Sequence, residues 1–237
     1  MSNSYFKFKQ FTIEQDACAM KVCTDACLFG AWVAQEIIKL KVEKILDIGT
    51  GTGLLSLMLA QQNNLTIDAV EIDDATAKQA NENVITSPWA NKIKVIKADI
   101  RKLEKEEKYD FIISNTPFFD NDLKSENEQR NRALHSSDLS ANELILSIKR
   151  LLKTDGYFAL LLPPHRANQQ EQIANDAGFF ISQQVTVRQT EQHGAFRVML
   201  LFSNNKTEPE FSEMVIKKQG QYSKEFTALL KDYYLYL

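Results

Sequence analysis

Short apolar runs alternate with segments of helical periodicity along most of this chain. The apolar runs predict strands at residues 44–48, 66–72, 93–98, 111–114, 157–162, 180–187 and 196–202. Helical spacing and capping signals predict helices at residues 54–61, 73–84, 140–152 and 165–176. Such alternation favours an α/β fold with helices on both faces of a mostly parallel sheet. We predict seven strands, the final one antiparallel because it follows its neighbour closely in sequence.

The two ends of the chain and one long loop fall outside this rhythm. Residues 5–13 indicate a short strand or hairpin, and a helix with Thr24 or Asp25 as its N-cap follows. Residues 116–139 form a long connection, which in a compact domain is usually functional or partly disordered. The C-terminal tail (residues 205–237) is compatible with a strand at 210–216 and a helix at 223–234. We therefore expect one domain over residues 1–237, with an N-terminal cap (1–40), a ligand-binding core (41–204) and a C-terminal extension (205–237).

The composition is that of a globular protein, with 44% hydrophobic residues, 25% charged residues and a net charge of -3. A negative chain must hold any nucleic acid through a local basic patch, because the field of the whole protein is unfavourable. No apolar run approaches the roughly 18 residues of a membrane span, and the N-terminus lacks the apolar core of a signal peptide. We therefore expect a cytoplasmic protein without a membrane partner. The sequence is compatible with a monomer but leaves the oligomeric state open.

The three cysteines, Cys18, Cys23 and Cys27, lie within ten residues of one another. Their odd number makes a poor disulfide framework, and no fourth metal ligand is nearby. We interpret them as small thiols and expect no metal site.

Gly49, Gly51 and Gly53 follow the first sheet strand, near whose end Asp47 lies. Glycines in a strand-to-helix turn allow positive φ angles and close approach of a ligand to the backbone. Leu54 stands where the dinucleotide fingerprint has its third glycine, and there is no lysine for a phosphate loop. The spacing therefore disfavours NAD, although the loop by itself is also compatible with a simple turn.

An acidic residue lies at the end of each of the first three sheet strands: Asp47, Glu71 and Asp99. Glu71 comes 18 residues after Gly53, and a carboxylate there can accept hydrogen bonds from both ribose hydroxyls. Each acid alone would more often be a helix cap or a solvated charge. Three acids in this order, at the edge where α/β sheets bind ligands, indicate a nucleoside cofactor, with NAD as the second choice.

The fourth strand runs into Asn115-Thr116-Pro117-Phe118. This resembles the Asn-Pro-Pro-Tyr/Phe motif of methyltransferases that act on planar amino nitrogens, with Thr116 in place of the first proline. The resemblance implies that the Asn115 side-chain oxygen and the Thr116 carbonyl accept the two amine hydrogens. Pro117 would stiffen the turn, and Phe118 would stack on the base. Positioning and electrostatics would then supply the rate without a strong general base.

The glycine loop and its acids resemble class I S-adenosylmethionine (AdoMet)-dependent methyltransferases, which have a Rossmann-like sheet. The stretches FKFKQF (6–11), CAMKVCTD (18–25) and LFGAW (28–32), with the ending YYL (233–235), resemble the bacterial valine-tRNA adenine-N6 methyltransferase family over nearly the whole chain. The resemblance implies AdoMet as cofactor, with Asp47 at its methionine end, Glu71 at the ribose and Asp99 at the adenine amine. Asp25 would lie near it. The implied cofactor-binding residues are Lys21, Thr24, Asp47, Gly49, Thr50, Gly51, Gly53, Glu71, Ile72, Asp99, Ile100 and Asn115.

The same resemblance implies tRNA as the partner and the adenosine just 3′ of the valine-tRNA anticodon as the target. Candidate phosphate contacts are Lys7, Lys9, Arg130, Arg132, His135, His165, Arg166, Lys217 and Lys218. The family's Ala-Arg-His is Ala133-Leu134-His135 here, so one expected basic group is missing. Two alternatives remain: methylation of rRNA or of protein glutamine, and a catalytically silent AdoMet- or RNA-binding module. The short segment before the first sheet strand disfavours a glutamine enzyme, and Asn115 disfavours a silent module.

Overall fold

The computed structural model describes residues 3–18, 20–115 and 139–237, which contain a sheet of nine strands. Two short strands, β1 (Tyr5–Lys7) and β2 (Thr12–Glu14), form a separate antiparallel hairpin. The nine sheet strands are β3 (Lys44–Ile48), β4 (Thr66–Glu71), β5 (Ile93–Lys97), β6 (Tyr109–Ser114), β7 (Leu152–Leu162), β8 (Phe180–Thr190), β9 (Ala195–Ser203), β10 (Glu210–Lys218) and β11 (Gln221–Tyr222). They lie in the order β5-β4-β3-β6-β7-β9-β8-β10-β11.

The seven predicted strands are confirmed, but seven is the wrong number for this sheet, because the tail adds β10 and β11. Strand β10 pairs in parallel with β8, with Glu210 opposite Gln183 and Lys217 opposite Thr190. Strand β9 lies between β7 and β8 and is antiparallel to both, as predicted for the final strand of the seven. The pairs from β5 through β7 are all parallel. The class I arrangement is therefore present, and it is extended at one side.

The helices in the described ranges are α1 (Thr24–Lys39), α2 (Leu54–Gln62), α3 (Asp74–Ile85), α4 (Ala141–Leu151), α5 (Pro164–Asp176) and α6 (Lys224–Leu230), with a 3₁₀ turn at Ile100–Lys102. Two predicted caps are confirmed. Asp73 accepts a hydrogen bond from the Thr76 backbone N–H at 2.8 Å, and Ser140 forms a capping box with Glu143. Of these helices, none is both long and apolar enough to cross a membrane.

Helix α1 begins without the predicted side-chain cap. Its N-cap residue is Cys23, whose side chain makes no capping hydrogen bond, so the prediction of Thr24 or Asp25 as the cap is wrong. Asp25 lies in the first turn instead and accepts a hydrogen bond from Arg197 Nε at 2.6 Å. An acid in the first turn still interacts favourably with the helix dipole. Asp25 therefore stabilises the start of α1 while joining it to β9.

Each face of the sheet carries its own hydrophobic core. Because side chains alternate along a strand, neighbours such as Ile112 and Ile113 on β6 point into different cores. Helices α1, α2, α3 and α6 and the β1–β2 hairpin contribute to the core that contains Ile113. Helices α4 and α5 contribute to the core that contains Ile112. This packing holds the carboxyl ends of β3 to β7 at one edge, which is where ligands bind in such folds.

Candidate active site

The predicted site residues meet at the carboxyl edge of the central strands. In the strand register, Ser114 and Ile48, the last residues of β6 and β3, lie opposite each other, and β4 is aligned with β3 in the same way. Asn115, Gly49 and Glu71 therefore lie at about one level on three adjacent strands. Because adjacent strands are about 4.8 Å apart, these residues are close enough to contact one ligand.

Asp47 is fully buried beneath the glycine loop. Its Oδ2 accepts hydrogen bonds from Thr50 Oγ1 at 2.6 Å and from Ser56 Oγ at 2.7 Å. Its Oδ1 accepts no hydrogen bond from the described part of the chain. Burial and, to a smaller extent, the nearby Glu71 raise the pKa of Asp47 to about 6 despite the two hydrogen bonds. A buried carboxylate oxygen of this kind suits a positively charged ligand group.

The glycine loop adopts a backbone conformation that side chains rarely permit. Gly49, Gly51 and Gly53 have φ angles of 68°, 58° and 83°, all in the left-handed region where glycine is favoured. Among the described residues, a Cβ on Gly51 would have only Cys18 Sγ within 4 Å, at 3.8 Å. The loop therefore has room beside its backbone for a ligand.

Glu71 holds the same loop from the end of β4. Its Oε2 accepts a hydrogen bond from the Gly51 N–H at 3.0 Å, and its Oε1 accepts from Ile72 N–H at 2.9 Å and Asp73 N–H at 3.0 Å. A carboxylate offers about four acceptor positions, so Glu71 retains capacity for a hydroxyl of a ligand. The adjacent Ile72 side chain is 42% exposed, which gives the site an apolar surface.

Asp99 is paired with Arg101, a partner that sequence reasoning missed. The Arg101 guanidinium donates to both Asp99 oxygens at 2.8–3.1 Å. This hydrogen-bonded ion pair holds the pKa of Asp99 below its usual range, so the side chain is an ionised acceptor near neutral pH. Arg101 also reaches Glu143 in the capping box of α4, at 3.5 Å. Ile100, which lies between Asp99 and Arg101 in the sequence, is buried in the core beneath α4 and α5.

Asn115 is half-buried directly after β6. The end of this strand is fixed by a hydrogen bond of 3.0 Å from Ser114 Oγ to the Ile48 carbonyl. The remaining predicted catalytic residues and the basic residues of the long loop lie outside the described residues: Thr116, Pro117, Phe118, Arg130, Arg132 and His135. The structure thus tests the position of Asn115 alone among the four motif residues.

A segment preceding α1, the N-terminal strap (residues 14–18), lies against the glycine loop. Asn83 of α3, which is 1% exposed, joins the two. Its Oδ1 accepts from the Glu14 N–H, and its Nδ2 donates to the Glu14 and Thr52 carbonyls, all at 2.9 Å. One buried amide therefore fixes the strap, α3 and the glycine loop relative to one another.

Gln79 and Thr76 continue the polar face of α3 that holds the strap. Gln79 accepts from the Ala17 N–H at 3.2 Å and donates to the Asp16 carboxylate, and Thr76 lies next to the Cys18 thiol. Sequence reasoning missed this face, although polar residues at helical spacing on a helix next to the cofactor loop were a signal for it. Their burial shows that the face binds protein and not solvent.

Thr24 is the first residue of α1, and Lys21 lies three residues before it. Lys21 Nζ donates to the Asn3 carbonyl at 3.3 Å, and Thr24 lies next to the Tyr234 phenol near the end of the chain. Their cofactor contacts stay predictions.

Comparison with known proteins gives a consistent picture. The family model described as methyltransferase small domain matches residues 30–170. The chain is 42% identical to a tRNA1(Val) (adenine(37)-N6)-methyltransferase of Dyadobacter fermentans, over 98% of each chain. It is 39% identical to the protein of that name in Bacteroides thetaiotaomicron, over 100% of each chain. Its fold is similar to that of a predicted O-methyltransferase of Agrobacterium tumefaciens, with a TM-score of 0.64, 16% identity, and coverage of 88% of this chain and 96% of that one.

Proposed function

This chain belongs to the family of tRNA1(Val) (adenine(37)-N6)-methyltransferases, and we propose that it methylates the N6 amine of the adenosine beside the anticodon of valine tRNA. The structural observation that carries the proposal is the position of Asn115, directly beside Gly49 at the carboxyl edge of the sheet. An amide oxygen there can orient an amine next to a cofactor held by the glycine loop. A planar amine needs such orientation more than it needs a base.

AdoMet is the cofactor, and the chemistry of the site fits it. AdoMet carries positive charge, and Asp47 offers a buried oxygen that accepts no hydrogen bond from the described residues. Glu71 has remaining acceptor capacity for a ribose hydroxyl, and the exposed Ile72 offers an apolar contact for the adenine. When bound, AdoMet supplies an electrophilic methyl group.

We assign the cofactor contacts as the family resemblance implies them, and the order of the loops along the sheet edge is compatible with that assignment. Asp47 lies at the methionine end, Glu71 at the ribose and Asp99 at the adenine amine. Arg101 keeps Asp99 ionised, so its carboxylate remains an acceptor. The other assigned contacts are Lys21, Thr24, Gly49, Thr50, Gly51, Gly53, Ile72, Ile100 and Asn115.

In the proposed reaction, the protein directs the lone pair of the adenine amine. This lone pair is delocalised into the ring and becomes more nucleophilic as the nitrogen becomes pyramidal. The Asn115 oxygen accepts one amine hydrogen and the Thr116 carbonyl accepts the other, which favours that geometry. Pro117 stiffens the turn, and Phe118 stacks on the base after it leaves the anticodon loop. The surplus proton passes to solvent, so the site needs no strong base.

The raised pKa of Asp47 predicts that AdoMet affinity depends on pH. A cationic ligand favours the ionised carboxylate, whereas burial favours the protonated form up to about pH 6. We therefore expect the Kd for AdoMet to fall about tenfold between roughly pH 5 and pH 7.5. A change of this size means that bound AdoMet lowers the pKa of Asp47 by about one unit. Calorimetric titration measures this change. Asp47→Asn, which is neutral throughout, should remove most of it, and an equally steep profile in that variant would contradict the assignment.

Direct methylation tests the function. Purified protein with labelled AdoMet should form N6-methyladenosine in total RNA from a strain that lacks the gene, and nucleoside analysis should find it in tRNA. A valine-tRNA transcript with guanosine in place of the adenosine beside the anticodon should not be labelled. Label in rRNA or protein with none in tRNA would contradict the substrate assignment while leaving the fold and cofactor unaffected.

A further inference from the structure

The carboxyl edge of the sheet continues well beyond the cofactor loops. Strands β8 and β10 run parallel to β7, so they end at the same edge as β6 and Asn115. Four strand spacings separate β6 from β10, which is about 19 Å at about 4.8 Å each. Six basic residues lie along this part of the carboxyl edge, and we call them the basic edge. They are Arg166, Arg188, His193, Arg197, Lys217 and Lys218.

The two halves of the edge differ in the side chains that they offer to a ligand. The loops after β3, β4 and β5 hold the acids Asp47, Glu71, Asp73 and Asp99, which suit a cationic nucleoside cofactor. The half formed by β7, β9, β8 and β10 holds the basic edge. Asn115, directly after β6, lies at the border between them. In the first half Arg101 is bound to Asp99, whereas the basic edge offers five Arg and Lys side chains. A substrate whose reactive base reaches Asn115 can therefore place its adjoining backbone along the basic edge.

Carboxylates already contact three of these cations, and two of these ion pairs are well exposed to solvent. Arg188 pairs with Glu213 at 2.9 Å, and both side chains are at least one third exposed. Lys218 pairs with Glu225 at 3.4 Å and is similarly exposed. Ion pairs at exposed positions contribute little net stability. A polyanion that offers several phosphates at once can therefore replace Glu213 and Glu225, whereas Asp25, whose side chain is 12% exposed, stays with Arg197.

Aromatic rings accompany two of the cations at this edge. Lys217 Nζ lies 5.2 Å from the centroid of the Tyr222 ring, and Tyr222 is 46% exposed. The Arg197 guanidinium lies 5.6 Å from the centroid of the half-buried Phe196. Cations interleaved with accessible rings are typical of surfaces that bind unpaired nucleotides, because phosphates contact the cations and bases stack on the rings.

We propose that the basic edge is the docking surface for the tRNA backbone that adjoins the target adenosine. This proposal rests on the proposed function and extends it by naming the surface. The tail strands thereby lengthen the substrate surface of the catalytic core. Because a strand of duplex nucleic acid carries a phosphate per about 3.4 Å of helix axis, an edge of about 19 Å has length for several phosphates.

A pair of charge reversals tests the surface at positions far from the cofactor loops. The variant K217E/K218E is compared with K94E/K108E, which makes the same change in net charge near the opposite edge of the sheet. We expect K217E/K218E to bind a valine-tRNA transcript at least tenfold more weakly, with KM for tRNA raised by a similar factor. Its kcat at saturating tRNA and its KM for AdoMet should match the wild type. The control should stay within about twofold of the wild type in all of these quantities.

The salt dependence of binding adds an independent readout. Losing two phosphate contacts should lower the slope of log K against log salt by about 1.4 to 1.8, whereas the control should keep the wild-type slope. K217Q/K218Q should fall between the wild type and the reversal, which separates loss of contacts from repulsion. Equal tRNA affinity and KM in the two reversal variants would overturn the docking surface. Failure of the wild-type protein to methylate tRNA would overturn the proposed function instead.

Discussion

Asn115→Ala is expected to lower kcat for tRNA methylation about 100- to 1000-fold while weakening AdoMet binding by no more than about tenfold, the effect of one lost neutral hydrogen bond. Removing one preorganised polar group that acts in the transition state typically has an effect of this size. Asn115 is placed to have that role, because it follows β6 directly and lies beside Gly49. Its side chain lies at the strand end and outside the cores, so the substitution should not unfold the protein.

Single-turnover methylation with saturating AdoMet measures this effect, and calorimetry measures cofactor binding in the same preparations. Asn81→Ala, on an exposed part of α3, is a matched control that should keep wild-type kinetics. A wild-type rate in Asn115→Ala would refute the proposed mechanism. Loss of AdoMet binding together with activity would show that Asn115 acts mainly through the cofactor.

Glu71→Ala is expected to weaken AdoMet binding by about 10- to 100-fold. A hydrogen bond to a charged group contributes about 1.5–3 kcal/mol, and Glu71 has capacity for one ribose hydroxyl beside its three N–H partners. A loss of about 3 kcal/mol corresponds to about 100-fold in Kd. The substitution also removes the acceptor for the Gly51, Ile72 and Asp73 N–H groups, so the loop itself becomes less well held.

Calorimetric titration with AdoMet tests this prediction, and Asp74→Ala provides the control. Asp74 lies three residues further on, is exposed and pairs with Lys78 across one turn of α3. The Asp74→Ala variant should bind AdoMet like the wild type. Glu71→Gln, which keeps an acceptor oxygen but no charge, should have a Kd for AdoMet between those of the wild type and Glu71→Ala. An unchanged Kd in Glu71→Ala would rule out the ribose contact.

Local sequence signals predicted much of the fold correctly. The caps at Asp73 and Ser140 depend on residues within three positions of one another, and the structure confirms both. The cap proposed for α1 was wrong, because Arg197, 172 residues further along the chain, holds Asp25. A side chain that has a local and a distant partner available cannot be assigned from its neighbours alone.

The candidate site also combines features that the sequence predicted with features that it did not. The order of Asp47, Glu71, Asp99 and Asn115 along the alternating strands was enough to expect them at one edge, because carboxyl ends of parallel strands meet there. Their partners were not predictable. The pKa of Asp47 rises because the packed protein excludes water around it. The polar face of α3 contacts a strap more than 60 residues away.

The sequence by itself determined the alternation of strands and helices, the positive-φ glycines and the order of the acidic and amide residues, since these depend on short-range sterics and periodicity. Only the tertiary structure decided that β10 joins β8, that Arg101 pairs with Asp99 and that cations of the tail share an edge with Asn115. Those features depend on which surfaces pack when water is excluded, and distant segments of the chain jointly determine that choice.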